Sequence, residues 1–349
     1  MRRALFAVLA CMILCSGVSA GDFSLGQEKV YASVPPEAAG RMGEDGSFSG
    51  GVEAIVGSVL PELSRDLSEA LRCAGIMLCA MLLCAVSGGK DLDPAVIAGV
   101  LCIGTAGFVR MGSLAGAGAE AIVELQSFAD VLLPAMSAAT AAAGGVTAST
   151  GIYAATALFS DLLMHAMGSL LLPAIHTYVA LCCARALCES ELLDRLAKLV
   201  KWAFQGGIKV LMFIYTAYLS ITALVSGSAD ATVVKAAKLA LSGVVPVVGS
   251  MISDCSETVI VSAGAIKNAV GVFGMLAVIA ICIGPFVRTA VHALVLRATA
   301  AAGSALGNPR LLSVLDALCE AMGFALSMVA AAALMLLICC VCYLKVCPV

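Results

Sequence analysis

The chain has 349 residues, of which 61% are hydrophobic and 12% charged, with a formal net charge of −3 and a mean hydropathy of +1.05. So little polar surface excludes a water-soluble globular protein of this size, and no cluster of Lys and Arg supplies a nucleic-acid footprint. From Val131 to Ser160 no side chain is charged; about 20 apolar residues cross a bilayer core about 30 Å thick, so the fold class is that of an all-α polytopic membrane protein.

Residues 1–20 read as a signal peptide: Arg2 and Arg3, an apolar run from Ala4 to Cys15, and the small residues Val18 and Ala20 before a mature start near Gly21. Residues 21–72 form an exported acidic N-terminal region, with nine acidic residues against four basic ones. Within it Val52, Ile55, Val56, Val59, Leu60 and Leu63 recur at helical spacing, which predicts an amphipathic helix approaching the membrane. Residues 73–130 hold the first transmembrane helix pair, about 73–89 and 94–110, and the loop that follows. Four further segments read as ordinary spans, about 162–184, 210–227, 268–287 and 321–344, giving about six in all.

Two more apolar segments, near 131–160 and 243–266, read as re-entrant or interfacial hairpins broken by Pro and Gly. Pro134, Gly144 and Gly145 interrupt the first; Pro246 and Gly249 interrupt the second, which also carries Asp254 and Glu257. Charge asymmetry supports this arrangement. With both segments folding back, Lys90, Arg185, Arg195, Lys198, Lys201, Lys209, Arg288, Arg297 and Arg310 share the cytoplasmic side, while Glu120, Glu124, Asp130, Asp161, Asp230, Asp254 and Glu257 lie outside with the N-terminal region and the scattered Lys235, Lys238 and Lys267. An internal tandem repeat is also expected. Pro134 and Pro246, Pro173 and Pro285, Thr177 and Thr289, Val179 and Val291, and Arg185 and Arg297 share one offset (246 − 134 = 112). Repeat unit one then covers 131–242, and unit two, with the C-terminal span, covers 243–349.

Three groups of residues are candidates for function. The stretch from Glu191 to Phe204 places Leu192, Leu193, Leu196 and Leu199 on one helical face and Arg195, Lys198 and Lys201 elsewhere, with Trp202 suited to the headgroup level. A second such helix starts at Asn308 and Pro309 and carries Arg310. These basic helices are candidates for docking a cytoplasmic partner, or they rest on lipid. Pro134, Pro246, Gly249, Asp254 and Glu257 form a candidate pore or gate, because a broken helix gives intramembrane carboxylates a reason to face water or protein; an exposed turn is the alternative. Asp161, His165 and His176 lie at spacings that suit a proton relay.

Nothing in the sequence marks an enzyme. No Walker loop, dinucleotide fingerprint, HExxH or zinc-ligand cluster occurs, and no nucleophile, base and orienting group stand at recognisable spacing. The sixteen cysteines fall mostly in apolar segments, where Cys acts as a small packing residue, and no histidine accompanies Cys339, Cys340, Cys342 and Cys347. The reading therefore assigns no catalytic residue, no metal and no cofactor.

Val244 to Thr258, VVPVVGSMISDCSET, and Ala265 to Gly274, AIKNAVGVFG, resemble the signature region of the stage III sporulation protein AE family. The resemblance implies a multi-pass protein of the mother-cell membrane surrounding the forespore, within a secretion-system-like channel complex. The partners it implies are a cytoplasmic secretion-type ATPase, small membrane subunits and ring-forming proteins between the two membranes. Two readings compete with it: a stand-alone secondary transporter built from the internal repeat, and a structural membrane scaffold that conducts nothing.

Overall fold

In the computed structural model, every described element is a helix, as expected where apolar runs must bond their own backbone groups. The structure describes residues 30, 32–42, 48–87, 94–143, 145–166, 172–188, 190–244, 249–305 and 308–345, with backbone alone at 48, 164, 220, 222–244, 249–263 and 266. Among them, in chain order, are α1 (Pro36–Arg41), α2 (Phe48–Val86), α3 (Pro94–Ala142), α4 (Val146–Ala166), α5 (Leu172–Cys188), α6 (Glu191–Val244), α7 (Gly249–Ser304) and α8 (Pro309–Lys345). Four of them, α2, α3, α7 and α8, are long and apolar enough to cross a membrane, and α5 is a shorter apolar helix.

The expected spans near 73–89, 94–110, 268–287 and 321–344 fall in these four helices; the other two lie elsewhere in the bundle. The segment 162–184 takes in the last residues of α4, to Ala166, and α5 from Leu172 onward. Pro173 sits in the first turn of α5, where a missing N–H removes no intrahelical bond. The segment 210–227 belongs to α6, a continuous helix of 54 residues that also contains the basic amphipathic stretch.

The two broken segments differ. Pro134 does not interrupt its helix; it lies inside the 49-residue α3, held in line by the fully buried Leu132 and Met136 on either side. The helix ends at Ala142: the Gly145 N–H donates to the Thr140 carbonyl at 2.9 Å, closing the end of α3, and α4 turns back along it. Gly249 opens α7, whose first three turns carry Asp254 and Glu257, and Pro246 lies outside the described residues. From there α7 runs unbroken through Pro285. Thr177 and Thr289 each donate to the carbonyl of the proline four residues before, at 2.8 Å, yet Thr105, Thr140 and Thr216 make the same bond, so this likeness adds nothing to the repeat.

Glycines fix how the bundle is assembled. Along α3, a Cβ on Gly107 would lie 2.2 Å from Leu318 Cδ1, and one on Gly118 would lie 3.0 Å from Val329 Cγ2, so α3 and α8 run parallel in close contact. Gly104 and Gly112 face Cys183 and His176 of α5 in the same manner. Helices α3, α7 and α8 form the centre, with α2 packed on α3 and α7, α4 and α5 packed on α3 and α8, and α6 laid against α4, α5 and α8.

This packing gathers six helix ends at one pole. Cys84 Sγ lies 3.1 Å from the Ala95 carbonyl, Gly99 meets Leu311, and Gly303 meets Met81. The opposite half holds α1 and the middle of α7, where Arg41 donates to the Ala280 carbonyl at 3.3 Å and pairs with Glu62 at 3.1 Å.

Candidate functional site

The pole of gathered ends carries the basic residues that the sequence marks for docking. Arg185 occupies the last turn of α5 and Glu191 and Asp194 the first turn of α6, each charge opposing the local helix dipole. On α8, Asn308 Oδ1 accepts the Arg310 N–H at 3.1 Å and Pro309 follows it, the capping pattern expected from the sequence. The three ends enclose an open cleft of about 640 Å³, lined by Arg185, Arg195, Lys198 and Arg310 with Glu191 and Asp194.

Asp194 organises this cleft. Lys198 Nζ and Arg185 Nη1 each lie 2.6 Å from its carboxylate, and they hold its carboxyl below the usual carboxylate range, Lys198 most strongly. Arg195 reaches Glu191 only at 3.6 Å, with 81% of its side chain exposed. Arg195, Lys198 and Arg310 are thus brought to one cleft from α6 and α8. Lys201 is not part of it: its ammonium bonds Glu320 of α8, which also accepts the Tyr178 hydroxyl from α5, so these three helices are tied together beneath the cleft. Phe324 continues the tie, stacked on Phe204 at 4.5 Å and edge-on to Tyr178 at 5.3 Å. Trp202 projects outward, 75% exposed.

The candidate pore residues are distributed otherwise. Pro134 lies on α3 and Gly249, Asp254 and Glu257 lie at the start of α7, with Pro246 outside the described residues. Of the residues at relay spacing, Asp161 and His165 are exposed on α4, while His176 of α5 bonds the Leu172 carbonyl at 2.9 Å and meets Phe108 edge-on.

Sequence reasoning missed a second polar centre, between α2, α3 and α7. Arg110 donates from Nη2 to Glu69 and from Nε to His292 Nε2 at 3.0 Å. His292 is 2% exposed, and its Nδ1 lies 2.9 Å from the Arg288 carbonyl. With one nitrogen accepting, the other must donate, which assigns a neutral imidazole protonated at Nδ1. Arg288 completes the group, with Nε 3.3 Å from Asp66 and Nη2 3.6 Å from Glu69, close enough for ion pairing although Nε is not aligned for a hydrogen bond. Arg288 therefore does not lie across the membrane from the N-terminal region, as the charge count suggests; it is joined to it.

Three comparisons bear on the chain. The family model described as Stage III sporulation protein AE matches residues 92–346, which run from the start of α3 to the end of α8. A protein named Stage III sporulation protein AE, from Bacillus subtilis (strain 168), is 26% identical over 220 residues, covering 62% of this chain and 54% of that protein. The matched part is thus about half of the relative's length. No solved structure matches.

Proposed function

Because this chain belongs to the stage III sporulation protein AE family, we propose that it is a non-enzymatic membrane component of a sporulation-specific, secretion-like channel complex between mother cell and forespore. Its place is the mother-cell membrane that surrounds the forespore. The observation that carries the reading is the convergence of Arg195, Lys198 and Arg310 on one open cleft at the pole where six helix ends meet. A surface of this kind offers an acidic partner several charge-assisted hydrogen bonds on rigid helix ends. Its occupant is a cytoplasmic subunit of the complex, of the secretion-ATPase kind, while ring-forming partners meet the acidic half that holds Glu37, Glu62, Glu120 and Glu124. Asp254 and Glu257, in the first turns of α7, are the carboxylates this reading assigns to the conduit.

The test is charge reversal in sporulating cells. Arg195→Glu combined with Lys198→Glu, both highly exposed positions, leaves the chain in the membrane at its normal level but lowers partner recovery and spore yield together by at least an order of magnitude. Unchanged recovery of partners on the reversed protein refutes docking at this cleft.

A further inference from the structure

On the outer side of the α2/α3 pair lies a second open groove, of about 770 Å³, that the proposed function leaves unused. Its two ends differ in chemistry. One end is walled by Cys73, Ile76, Cys102, Ala106 and Val109, and the other by Glu69, Arg72, Arg110 and Ser113. Ile76 and Val109 are 55% and 72% exposed, on helices long and apolar enough to cross a membrane. The walls therefore present an acyl-chain surface that ends at two guanidinium groups.

The charges at the polar end do not cancel. Of the charged residues that line it, Arg72 and Arg110 are positive and Glu69 alone is negative, which leaves one positive charge over. Glu69 is engaged by Arg110 and Arg288, and Asp66 by Arg288. Among the described residues no carboxylate lies within ion-pairing distance of Arg72, which is exposed on the groove's rim. Arg110 is anchored from behind by the buried His292, so its guanidinium is held in place before anything binds.

We infer that this groove is a binding site for a singly anionic phospholipid, its headgroup phosphate held by Arg72 and Arg110 and one acyl chain laid along Ile76, Cys102 and Val109. A basic site between membrane helices with an adjoining apolar wall is the arrangement that selects anionic lipid over zwitterionic lipid. The lipid would bridge α2, which precedes the family-matched region, to α3, which begins it. The site depends on the membrane character of the chain and not on the channel reading, so either can fail alone.

Cysteines already in place report occupancy. Cys73 and Cys102 line the groove, whereas Cys79 is exposed on α2 outside it. The full-length protein is placed in nanodiscs of phosphatidylcholine, with or without phosphatidylglycerol, and labelled with a membrane-permeant maleimide; modification of each cysteine is followed by peptide mass spectrometry. Phosphatidylglycerol should slow labelling of Cys73 and Cys102 and leave Cys79 unchanged. Arg72→Gln, at an exposed position that the fold does not need, should weaken that selective protection about tenfold, the scale of one charge-assisted hydrogen bond. Ile76→Trp, which fills the groove, should make labelling of Cys102 insensitive to lipid headgroup. Equal protection by both lipids, no protection by either, or full protection in Arg72→Gln would each overturn the assignment.

Discussion

Two pairs of apolar helices in this molecule look alike in sequence and behave oppositely in the fold. The most apolar stretches of α2 and α3 have mean hydropathies of 1.9 and 1.7 and are 28% and 39% buried in the protein; those of α7 and α8 reach 2.5 and 2.7 and are 67% and 72% buried. The helices that read most strongly as membrane spans are thus the ones enclosed by other helices. Leu82, Leu83, Val86 and Leu101 of the first pair face outward, whereas Leu311, Leu315 and Leu318 of α8 are fully enclosed. Lipid tails and a protein interior are both apolar, so hydropathy cannot separate them; what separates them is whether small residues let a neighbouring backbone approach. Gly99, Gly107 and Gly118 do so for α3 against α8, while Gly75 of α2 has open space around it.

The exposed faces are also staggered. Gly107 of α3 is level with Leu318 of α8, but Tyr215 of α6 donates to the Met335 carbonyl, about 26 Å further along α8 at the helical rise. Val109 and Leu101 therefore face outward at one level, and Val210, Phe213 and Ile214 at another, nearly a bilayer core away. The apolar belt runs obliquely round the bundle, leaving the basic cleft on one flank and the acidic cleft of Glu37, Glu62, Glu120 and Glu124 on the other.

Truncating one leucine in each pair gives the sharpest contrast. Leu315→Ala, at a fully buried site on α8, should lower stability by about 3 kcal/mol through lost burial and a residual cavity. Leu83→Ala, 70% exposed on α2, should cost about 0.5 kcal/mol or less. Thermal unfolding in detergent, followed by the appearance of reactive thiols at the buried Cys282 and Cys339, measures both. Equal losses would mean that the outer face of α2 is enclosed in the native state, and the distinction between the pairs would fall.

A smaller effect separates two glycines of the outer pair, one packed against α8 and the other open. Gly107→Ala places a methyl against Leu318 at 2.2 Å from Cδ1, with Cγ only 3.0 Å away, so the whole leucine must move; a loss of about 1–3 kcal/mol is expected. Gly75→Ala meets nothing within 4 Å and should be neutral or stabilising by up to about 1 kcal/mol from helix propensity. The same unfolding assay decides it, and a tolerated Gly107→Ala would argue against close α3–α8 contact.

Much of this organisation is legible in the sequence, and the exceptions share a cause. The all-helical membrane class, the turn at Gly145, the cap at Asn308 and the common placement of Arg195, Lys198 and Arg310 follow from local pattern. Hidden are features that need a partner distant in sequence. Pro134 looks like a break because its cost is local and its support from packed neighbours is not. The centre formed by Asp66, Glu69, Arg110, Arg288 and His292 draws on three helices, and charge counting treats each member as belonging to a loop on one side of the bilayer. Lys201 reads as one more exposed docking charge until Glu320, on another helix, is seen to hold it.

The smallest expected effect belongs to the polar pole, where neither lipid nor core surrounds the groups. Asp194 has its carboxyl held down by Lys198 and Arg185 in the folded state, so it contributes to holding the α5–α6 corner above its unfolded value of about 3.9. That contribution fades as pH falls from there through the lower folded value. Wild-type protein should therefore keep its corner closed to pepsin at pH 4 and open it progressively below. Asp194→Asn cannot accept from both cations as a carboxylate does, so cleavage between α5 and α6 should occur already at pH 4 and change little on further acidification. A variant whose cleavage follows the wild-type pH course would show that the corner is held by the Tyr178, Lys201 and Glu320 tie alone, and that Asp194 serves only to shape the charge of the cleft.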